Sequence, residues 1–160
     1  EQLQRAGIIK SVKDLWWDVR PHPGFGTVEI RICDIPVNFK TIIALVALIQ
    51  ALVVTLINAD PYSGTHIQIL QSNKWQAVRY GLEGVFVDPK TFQKLTMRKA
   101  IENLCILVEP AIVYLGSKKY FNILEEILNS GTGSTKQREL CNSSKNFEYV
   151  LQSLKELFYQ

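Results

Sequence analysis

The chain has 160 residues, of which 47% are hydrophobic and 21% charged, so it is long and apolar enough to bury a core within one domain. Its formal net charge is +3, and the lysines and arginines are scattered rather than gathered in a basic block, which argues against nucleic acid as a partner. The 3 cysteines are far apart and lack metal-ligand spacing, which favours a reducing compartment and a cytoplasmic location.

The first predicted strand has two different faces. The prolines and glycines of residues 21–26 exclude a helix there, and from residue 25 onwards the side chains alternate with a period of two. One face would carry Phe25, Thr27, Glu29, Arg31 and Cys33, and the other face would carry Val28, Ile30 and Ile32. Residues 25–34 are therefore predicted to form a strand whose apolar face is buried.

A long apolar helix is predicted over residues 38–58, with Asn38 as its N-cap. Between residues 42 and 57 the only polar side chains are Gln50 and Thr55. A helix that is apolar on all sides lies either in a protein core or in a bilayer. A bilayer span needs about 20 apolar residues, and this run is shorter and has Gln50 at its middle. A core helix packed on the apolar face of the preceding strand is therefore favoured over a membrane span.

The rest of the chain is predicted to be mainly helical. A helix is expected over residues 66–80, and residues 81–89 and 91–97 would each contain a short strand of one small hairpin. Further helices are expected over residues 98–115, 117–129, 134–142 and 145–158. The predicted fold class is α+β, with a few antiparallel strands packed on a mainly helical C-terminal region.

Glu29 and Arg31 are the first candidates for a functional site. Their Cα atoms should lie about 7 Å apart on one face of the strand. A carboxylate can hold Mg²⁺ beside phosphate oxygens, and a guanidinium can hold a phosphoryl or carboxylate group through two hydrogen bonds. On spacing alone, a cross-strand ion pair on a solvated sheet is the favoured interpretation. Arg20 and His22 lie in the preceding turn, which could hold them at the rim of the sheet.

A second group of candidates lies in residues 72–81, with the sequence SNKWQAVRYG. Trp75 and Arg79 are four residues apart and would share a helix face. Such a pair is either a stacked cation that awaits an anion or a surface cation–π pair. The chain contains no G-x-S-x-G, H-E-x-x-H, C-x-x-C or Walker-type sequence. The stretch GTGS at residues 131–134 is interpreted as a helix connector rather than a phosphate cradle.

Three blocks of the sequence resemble one family of enzymes. The blocks are LWWDVRPHPGFGTVEIRICDIP at residues 15–36, NKWQAVRYGL at 73–82 and GTGSTKQR at 131–138. In order and spacing they are similar to the second type of bacterial glutamate–cysteine ligase, a carboxylate–amine ligase of the glutamine synthetase superfamily. The first block is long and specific, and the other two give moderate support. In that superfamily the pattern Glu-x-Arg-x-x-Asp, here residues 29–34, lies on a strand of the active-site sheet.

The resemblance implies roles for eight residues. Glu29 would be a magnesium ligand. Arg31 and Arg20 would be catalytic, and Arg31 would hold the transferred phosphoryl group or the acyl phosphate. Substrate or phosphate would also contact Asn73, Lys74, Trp75, Arg79 and, more weakly, His22.

The implied reaction is ATP-dependent amide formation with ATP and Mg²⁺ as cofactors. A carboxylate, typically the γ-carboxylate of glutamate, is phosphorylated, and an amine, typically that of cysteine, then attacks the acyl phosphate. Cationic side chains held in fixed positions would stabilise the concentrated negative charge of that intermediate. The expected partners are amino acids and ATP, with no nucleic acid and no membrane, and a homodimer could form. The expected pathway is glutathione biosynthesis.

The resemblance covers only the C-terminal part of much longer family members. The chain, which has no initiator methionine, is therefore expected to be the C-terminal part of a catalytic domain and inactive alone. Residues 1–90 would hold the active-site strand, the core helix and the second block, and residues 91–160 a helical tail. Gly24 and Lys74 stand where arginine is more often expected. Two competing hypotheses are a non-catalytic helical interaction module that kept the scaffold, and a membrane-tethered protein that uses residues 41–57.

Overall fold

The computed structural model describes residues 2–57, 59, 64–144 and 146–159. Within these residues the fold is mainly helical with two small antiparallel sheets of two strands each, which confirms the predicted α+β class. The chain divides into two compact units, residues 1–35 and residues 36–160. The predicted division at residue 90 has a different meaning. It separates the active-site strand, the core helix and the second block from a helical tail, and it stays a prediction.

The first unit is a β-hairpin with a short lead-in. Its elements are α1 (Gln2–Arg5), a 3-10 turn (Val12–Asp14), β1 (Val19–His22) and β2 (Thr27–Ile30). The strands pair antiparallel, with Arg20 opposite Glu29 and Pro21 opposite Val28. Strand β1 was not predicted, because its proline argued for a turn. A sheet of two strands has only edge strands, and an edge strand tolerates a proline that cannot donate a hydrogen bond.

The predicted burial of the apolar strand face is wrong for two of its three residues. Strand β2 spans only four of the ten residues predicted for it. Val28 and Ile32 are 62% and 54% exposed, and Ile30 is half-buried. Two strands alone cannot enclose an apolar core. The predicted packing of this face on the long helix stays a prediction.

The second unit consists of helices and one small hairpin. Its elements are α2 (Phe39–Ile57), α3 (Ile67–Tyr80), β3 (Val85–Val87), β4 (Lys94–Thr96), α4 (Met97–Tyr114), α5 (Lys118–Ser130), α6 (Gly133–Ser144) and α7 (Phe147–Phe158). Strands β3 and β4 pair antiparallel, as predicted. Each helix predicted for this unit is present, and its ends lie within one or two residues of the predicted ends.

The core of the second unit lies between α2, α4 and α5. Its buried members are Ala44, Ala51, Val108, Ala111, Ile112, Phe121 and Leu124. The alanines of α2 let the larger side chains of α4 and α5 approach closely, and Ile112 is only 1% exposed. Burying one such aliphatic side chain contributes about 1.5–3 kcal/mol. Helix α2 is therefore a core helix along its alanine face.

The remainder of the α2 surface is apolar and exposed. Val46, Val53 and Ile57 are 48%, 47% and 76% exposed. Among the described residues, α2 is the one helix long and apolar enough to cross a membrane by length and composition, and 17% of its 18-residue apolar window is buried. The core helix of a soluble protein passes the same test. The predicted lack of a membrane partner therefore stays a prediction.

Candidate functional site

On the hairpin, the carboxylate of Glu29 lies between two arginines. Arg20 Nε donates to Glu29 Oε2 over 2.9 Å, and Arg20 Nη2 lies 2.6 Å from the same oxygen. Arg31 Nη1 donates to Glu29 Oε1 over 3.1 Å. Both carboxylate oxygens therefore accept hydrogen bonds from guanidinium groups. The cross-strand ion pair favoured on spacing alone is present, and Arg31 extends it to three residues.

The two arginines also set the charge state of Glu29. The hydrogen bond from Arg20 holds the pKa of the Glu29 carboxyl below its ordinary value, against the opposing effect of desolvation, and the positive charges of Arg20 and Arg31 lower it further. Glu29 therefore stays ionised at neutral pH. Two guanidinium charges and one carboxylate charge leave this cluster with one net positive charge.

Arg20 is bound on all sides within the first unit. Besides its bonds to Glu29, its Nη1 donates to the carbonyl oxygen of Lys13 over 2.9 Å and to that of Leu15 over 3.3 Å. Its side chain is only 13% exposed. Arg20 thus joins the 3-10 turn to the hairpin. The catalytic role that the resemblance implies for Arg20 stays a prediction.

Arg31 is more open, and it contacts a residue that the sequence analysis missed. Its guanidinium carbon lies 5.5 Å from the ring centroid of Trp16, and its side chain is 28% exposed. Its backbone N–H donates to the carbonyl oxygen of Asp18 over 2.8 Å, which fixes the main chain beyond β2. Trp16 itself is 85% exposed. The signal that could have found Trp16 is its place in the same specific block as Arg31.

His22 is held by aromatic stacking at the turn of the hairpin. Its ring stacks on that of Phe25, with centroids 4.5 Å apart and 23° between the planes. Its Nδ1 atom is buried and has no hydrogen-bond partner within the described part of the chain. A Cβ atom at Gly24 would lie 3.6 Å from His22 Cε1, an ordinary contact, so an alanine there would not clash with His22. A substrate contact through His22 stays a prediction.

Asn73 joins helix α3 to strand β3. Its Nδ2 donates to the carbonyl oxygen of Val87, and the Val87 N–H donates to its Oδ1, both over 2.8 Å. Gln76 Oε1 accepts from the Val85 N–H over 3.1 Å. The Asn73 side chain is buried and its amide pairs with the main chain of β3, as a neighbouring strand would. The second block therefore contributes to the fold as well as to any site.

The other candidates on α3 are exposed. Trp75 is 56% exposed and packs edge-on against Tyr80, with ring centroids 5.6 Å apart. The Trp75–Arg79 pair is absent from the cation–π contacts of residues 2–57, 59, 64–144 and 146–159. Lys74 and Arg79 are exposed as well. The structure thus gathers Arg20, Glu29 and Arg31 on the hairpin and the second group on α3, and substrate contacts on α3 stay predictions.

The GTGS stretch at residues 131–134, interpreted as a helix connector, lies at the junction of two helices, and its last two residues already belong to the second helix. Helix α5 ends at residue 130 and α6 begins at Gly133. Gly131 has a φ of 92°, in the left-handed region that favours glycine at a helix C-terminus. A Cβ atom at Gly133 would lie 2.7 Å from Val37 Cγ1, so a larger residue there would require the Val37 side chain to shift.

The hairpin residues do not fit a magnesium site as they stand. Both oxygens of Glu29 accept hydrogen bonds from arginine, and two guanidinium charges beside them oppose a divalent cation. Mg²⁺ also requires near-octahedral oxygen coordination. The described residues contain no group of three or more His, Cys, Asp or Glu side chains that could hold a metal ion. The metal-ligand role of Glu29 therefore rests on the resemblance and stays a prediction.

Known proteins similar to this chain indicate its family. Residues 1–156 match the family described as Glutamate-cysteine ligase family 2. The "Putative glutamate–cysteine ligase 2" of Gloeobacter violaceus is 37% identical over 156 residues, and that of Sorangium cellulosum is 34% identical over 158 residues. These matches cover 95% and 96% of this chain but 42% of each relative, so the chain spans less than half the length of these curated relatives. The match over nearly all of this sequence shows that the chain belongs to glutamate–cysteine ligase family 2.

Proposed function

We propose that this chain contributes to an ATP-dependent carboxylate–amine ligase that forms an amide bond through an acyl phosphate, with glutamate and cysteine as the expected substrates. The observation that carries the proposal is the positively charged cluster of Arg20, Glu29 and Arg31, which lies within the long first block of the resemblance. An acyl phosphate concentrates negative charge on the oxygens bonded to the reacting carbon and phosphorus, and prearranged cations stabilise such charge.

Arg31 is the residue of this cluster best placed to meet the reacting group. Its guanidinium is partly exposed and uses one N–H donor on Glu29. A guanidinium edge can donate two parallel hydrogen bonds to a carboxylate or phosphoryl group, which fixes the orientation of that group as well as its position. Glu29 would keep Arg31 in place, since its pKa is lowered and it stays ionised at neutral pH.

The proposal extends to cofactors, partners and location. ATP would supply the phosphoryl group, and Mg²⁺ would accompany ATP. Because the hairpin residues do not fit a magnesium site as they stand, no catalytic step is assigned to a metal held by Glu29. Amino acids would be the substrates, glutathione biosynthesis the pathway and the cytoplasm the location. The proposal includes no nucleic-acid or membrane partner, and it allows a homodimer.

This chain alone is expected not to catalyse the reaction. It spans 42% of the length of the Gloeobacter violaceus relative. The charged cluster on its hairpin holds one carboxylate, and that carboxylate is occupied by arginines. A nucleotide with its metal ion generally needs several ligands. We therefore expect no ADP release from ATP by the 160 residues alone.

The test is an ATP-to-ADP assay on the full-length ligase that contains this sequence, with a panel of amino acids and mass spectrometry of the products. We expect ADP release that depends on glutamate and on an amine, together with an amide product. Glu29→Gln should lower turnover by at least about a hundredfold, the scale of losing one prearranged electrostatic group. Glu126→Gln, at an exposed glutamate of α5 outside the three family blocks, is the charge-matched control and should keep wild-type turnover. Absence of any amino-acid-dependent ADP release would favour the non-catalytic interaction module.

A further inference from the structure

Arg20 and Arg31 contact the same carboxylate but differ in what remains of their hydrogen-bonding capacity. A guanidinium has five N–H donors in a planar fork. Arg20 directs Nε and Nη2 to Glu29 and Nη1 to the carbonyl oxygens of Lys13 and Leu15. All three of its nitrogen atoms therefore have partners inside the first unit. A substrate oxygen could contact Arg20 only by replacing one of them.

Arg31 keeps an open edge. Its Nη1 donates to Glu29 Oε1, whereas its Nε and Nη2 make no hydrogen bond to any residue that the structure describes. Its side chain is 28% exposed, compared with 13% for Arg20. Nε and Nη2 form one edge of the fork, which is the edge that binds a carboxylate or phosphoryl group through two parallel hydrogen bonds. The hairpin thus offers one open guanidinium edge rather than two.

Two neighbours hold Arg31 in this orientation. Glu29 accepts from one corner of the guanidinium, and the indole of Trp16 lies 5.5 Å from its central carbon. A ring face at this distance attracts a cation and limits the swing of a long side chain. Trp16 is itself 85% exposed, so the burial of a core side chain does not account for its place.

We propose that Trp16 is a positioning residue, which together with Glu29 fixes Arg31 as the single anion-binding group of the hairpin, while Arg20 is an internal clamp that contacts no substrate. This proposal rests on the proposed ligase function and deepens it. The ligand class is an oxyanion with two neighbouring oxygens that can accept the two parallel hydrogen bonds, either a phosphoryl group or a carboxylate. The carboxylate of glutamate and the phosphoryl group of ATP or of the acyl phosphate both belong to this class.

The first experiment measures binding to the 160-residue chain by NMR titration, with inorganic phosphate in one arm and glutamate in the other. The arm with the tighter saturable binding identifies the source of the oxyanion. Arg31→Gln should weaken binding at least about tenfold, since it removes charge-assisted hydrogen bonds. Arg5→Gln, at an exposed arginine outside the three family blocks, is the control for loss of one exposed positive charge and should bind as the wild type does. Equal binding by Arg31→Gln and wild type, or no saturable binding by the wild type, overturns the proposal.

The positioning role of Trp16 is tested by a pair of substitutions. Trp16→Leu should weaken oxyanion binding about two- to fivefold, the value of an exposed cation–π contact. Trp16→Phe keeps an aromatic face and should restore binding to within about twofold of wild type. A purely structural role would not distinguish leucine from phenylalanine at so exposed a position. If both variants bind as the wild type does, Trp16 does not position Arg31.

The clamp role of Arg20 is tested by hydrogen exchange. Arg20→Gln should raise the amide exchange rates of residues 13–31 at least about tenfold, since the bonds to Glu29, Lys13 and Leu15 are lost together. Unchanged exchange would overturn the clamp, and unchanged exchange with lost phosphate binding would make Arg20 a direct contact. These measurements need no turnover. Failure of the ligase assay with intact binding at Arg31 would therefore refute the proposed function but not this inference.

Discussion

The hairpin unit of residues 1–35 and the helical unit of residues 36–160 are stabilised by different interactions. In the hairpin unit the buried hydrophobic side chain among the described residues is Leu15, and the side-chain contacts are mainly ion pairs and hydrogen bonds of Arg20, Glu29 and Arg31. The helical unit has a continuous apolar core between α2, α4 and α5. The charged residues of the hairpin are therefore at once its candidate site and its main support.

In the helical unit, structural support and the candidate site are provided by different residues. Asn73 is buried and bonded to β3, whereas Trp75 and Arg79, from the same sequence block, are exposed. A substitution in this block should therefore affect either stability or binding. A substitution in the hairpin cluster should affect both. The following experiments test which interactions stabilise each unit.

The largest effect is expected in the helical core. Ile112→Ala should lower the free energy of unfolding by about 2–5 kcal/mol, because it leaves a cavity beside buried neighbours. Ile106→Ala on the same helix is the matched control, since Ile106 is 66% exposed and its truncation should cost less than about 0.5 kcal/mol. Urea unfolding followed by far-UV circular dichroism measures both. Equal losses for the two variants would show that the core does not carry the stability of this unit.

The next effect is expected at the link between α3 and β3. Asn73→Ala leaves the partly buried N–H and carbonyl of Val87 without side-chain partners, which should cost about 2 kcal/mol. Asn73→Asp should also destabilise, because a carboxylate can still accept from the N–H but repels the carbonyl oxygen. Asn122→Ala, at an exposed asparagine of α5, is the control and should be nearly neutral. Lost substrate binding with unchanged stability would instead place Asn73 in the site.

Periodicity predicted the helices because local sequence decides them. The pattern of apolar residues and the caps located each helix of the second unit to within one or two residues. Asn38, predicted as the N-cap of α2, accepts the Thr41 N–H over 2.8 Å. Such bonds join residues three positions apart, so the sequence contains all the information that they need.

The contacts of the hairpin could not be predicted in the same way. Alternation put Glu29 and Arg31 on one face, but it did not indicate that Arg20 would form β1 and bond to the carbonyl oxygens of Lys13 and Leu15. A bond from a side chain to a backbone carbonyl depends on the path of the chain and has no residue-type signal. The exposure of Val28 follows from the same cause, since burial of a strand face requires neighbours that alternation does not name.

A smaller effect should distinguish the units by their response to salt. At about 1 M salt the Debye length falls to about 3 Å, which weakens exposed ion pairs. Amide exchange of residues 19–30 should then rise a few-fold, since the Arg31–Glu29 pair is partly exposed. Exchange of residues 104–112, in the apolar core, should stay unchanged or fall. The same concentration of urea in low salt serves as the control for general destabilisation. A uniform response of both segments would contradict the assignment of different forces to the two units.

The smallest effect is expected at Asp88 in the helical unit, whose carboxylate caps a turn between β3 and β4. Asp88 Oδ1 accepts from the backbone N–H groups of Lys90 and Thr91, both over 2.8 Å, and these bonds, chiefly the one from Thr91, hold the pKa of the Asp88 carboxyl below its ordinary value. Because the folded state binds the proton less well than the unfolded state, the stabilisation by this charge is fully present above the ordinary pKa of about 4 and is lost as the pH falls through the lower folded value.

Asp88→Asn keeps an oxygen that can accept both bonds but removes the charge. The unfolding free energy of the wild type should therefore exceed that of the variant at pH 7, and the difference should vanish at about pH 2. Asp88→Ala also loses the bonds, and it should be less stable than Asp88→Asn at both pH values. Urea unfolding at the two pH values measures each difference, and a wild-type advantage over Asp88→Asn that persists at the acid value would show that the charge of Asp88 is not its source.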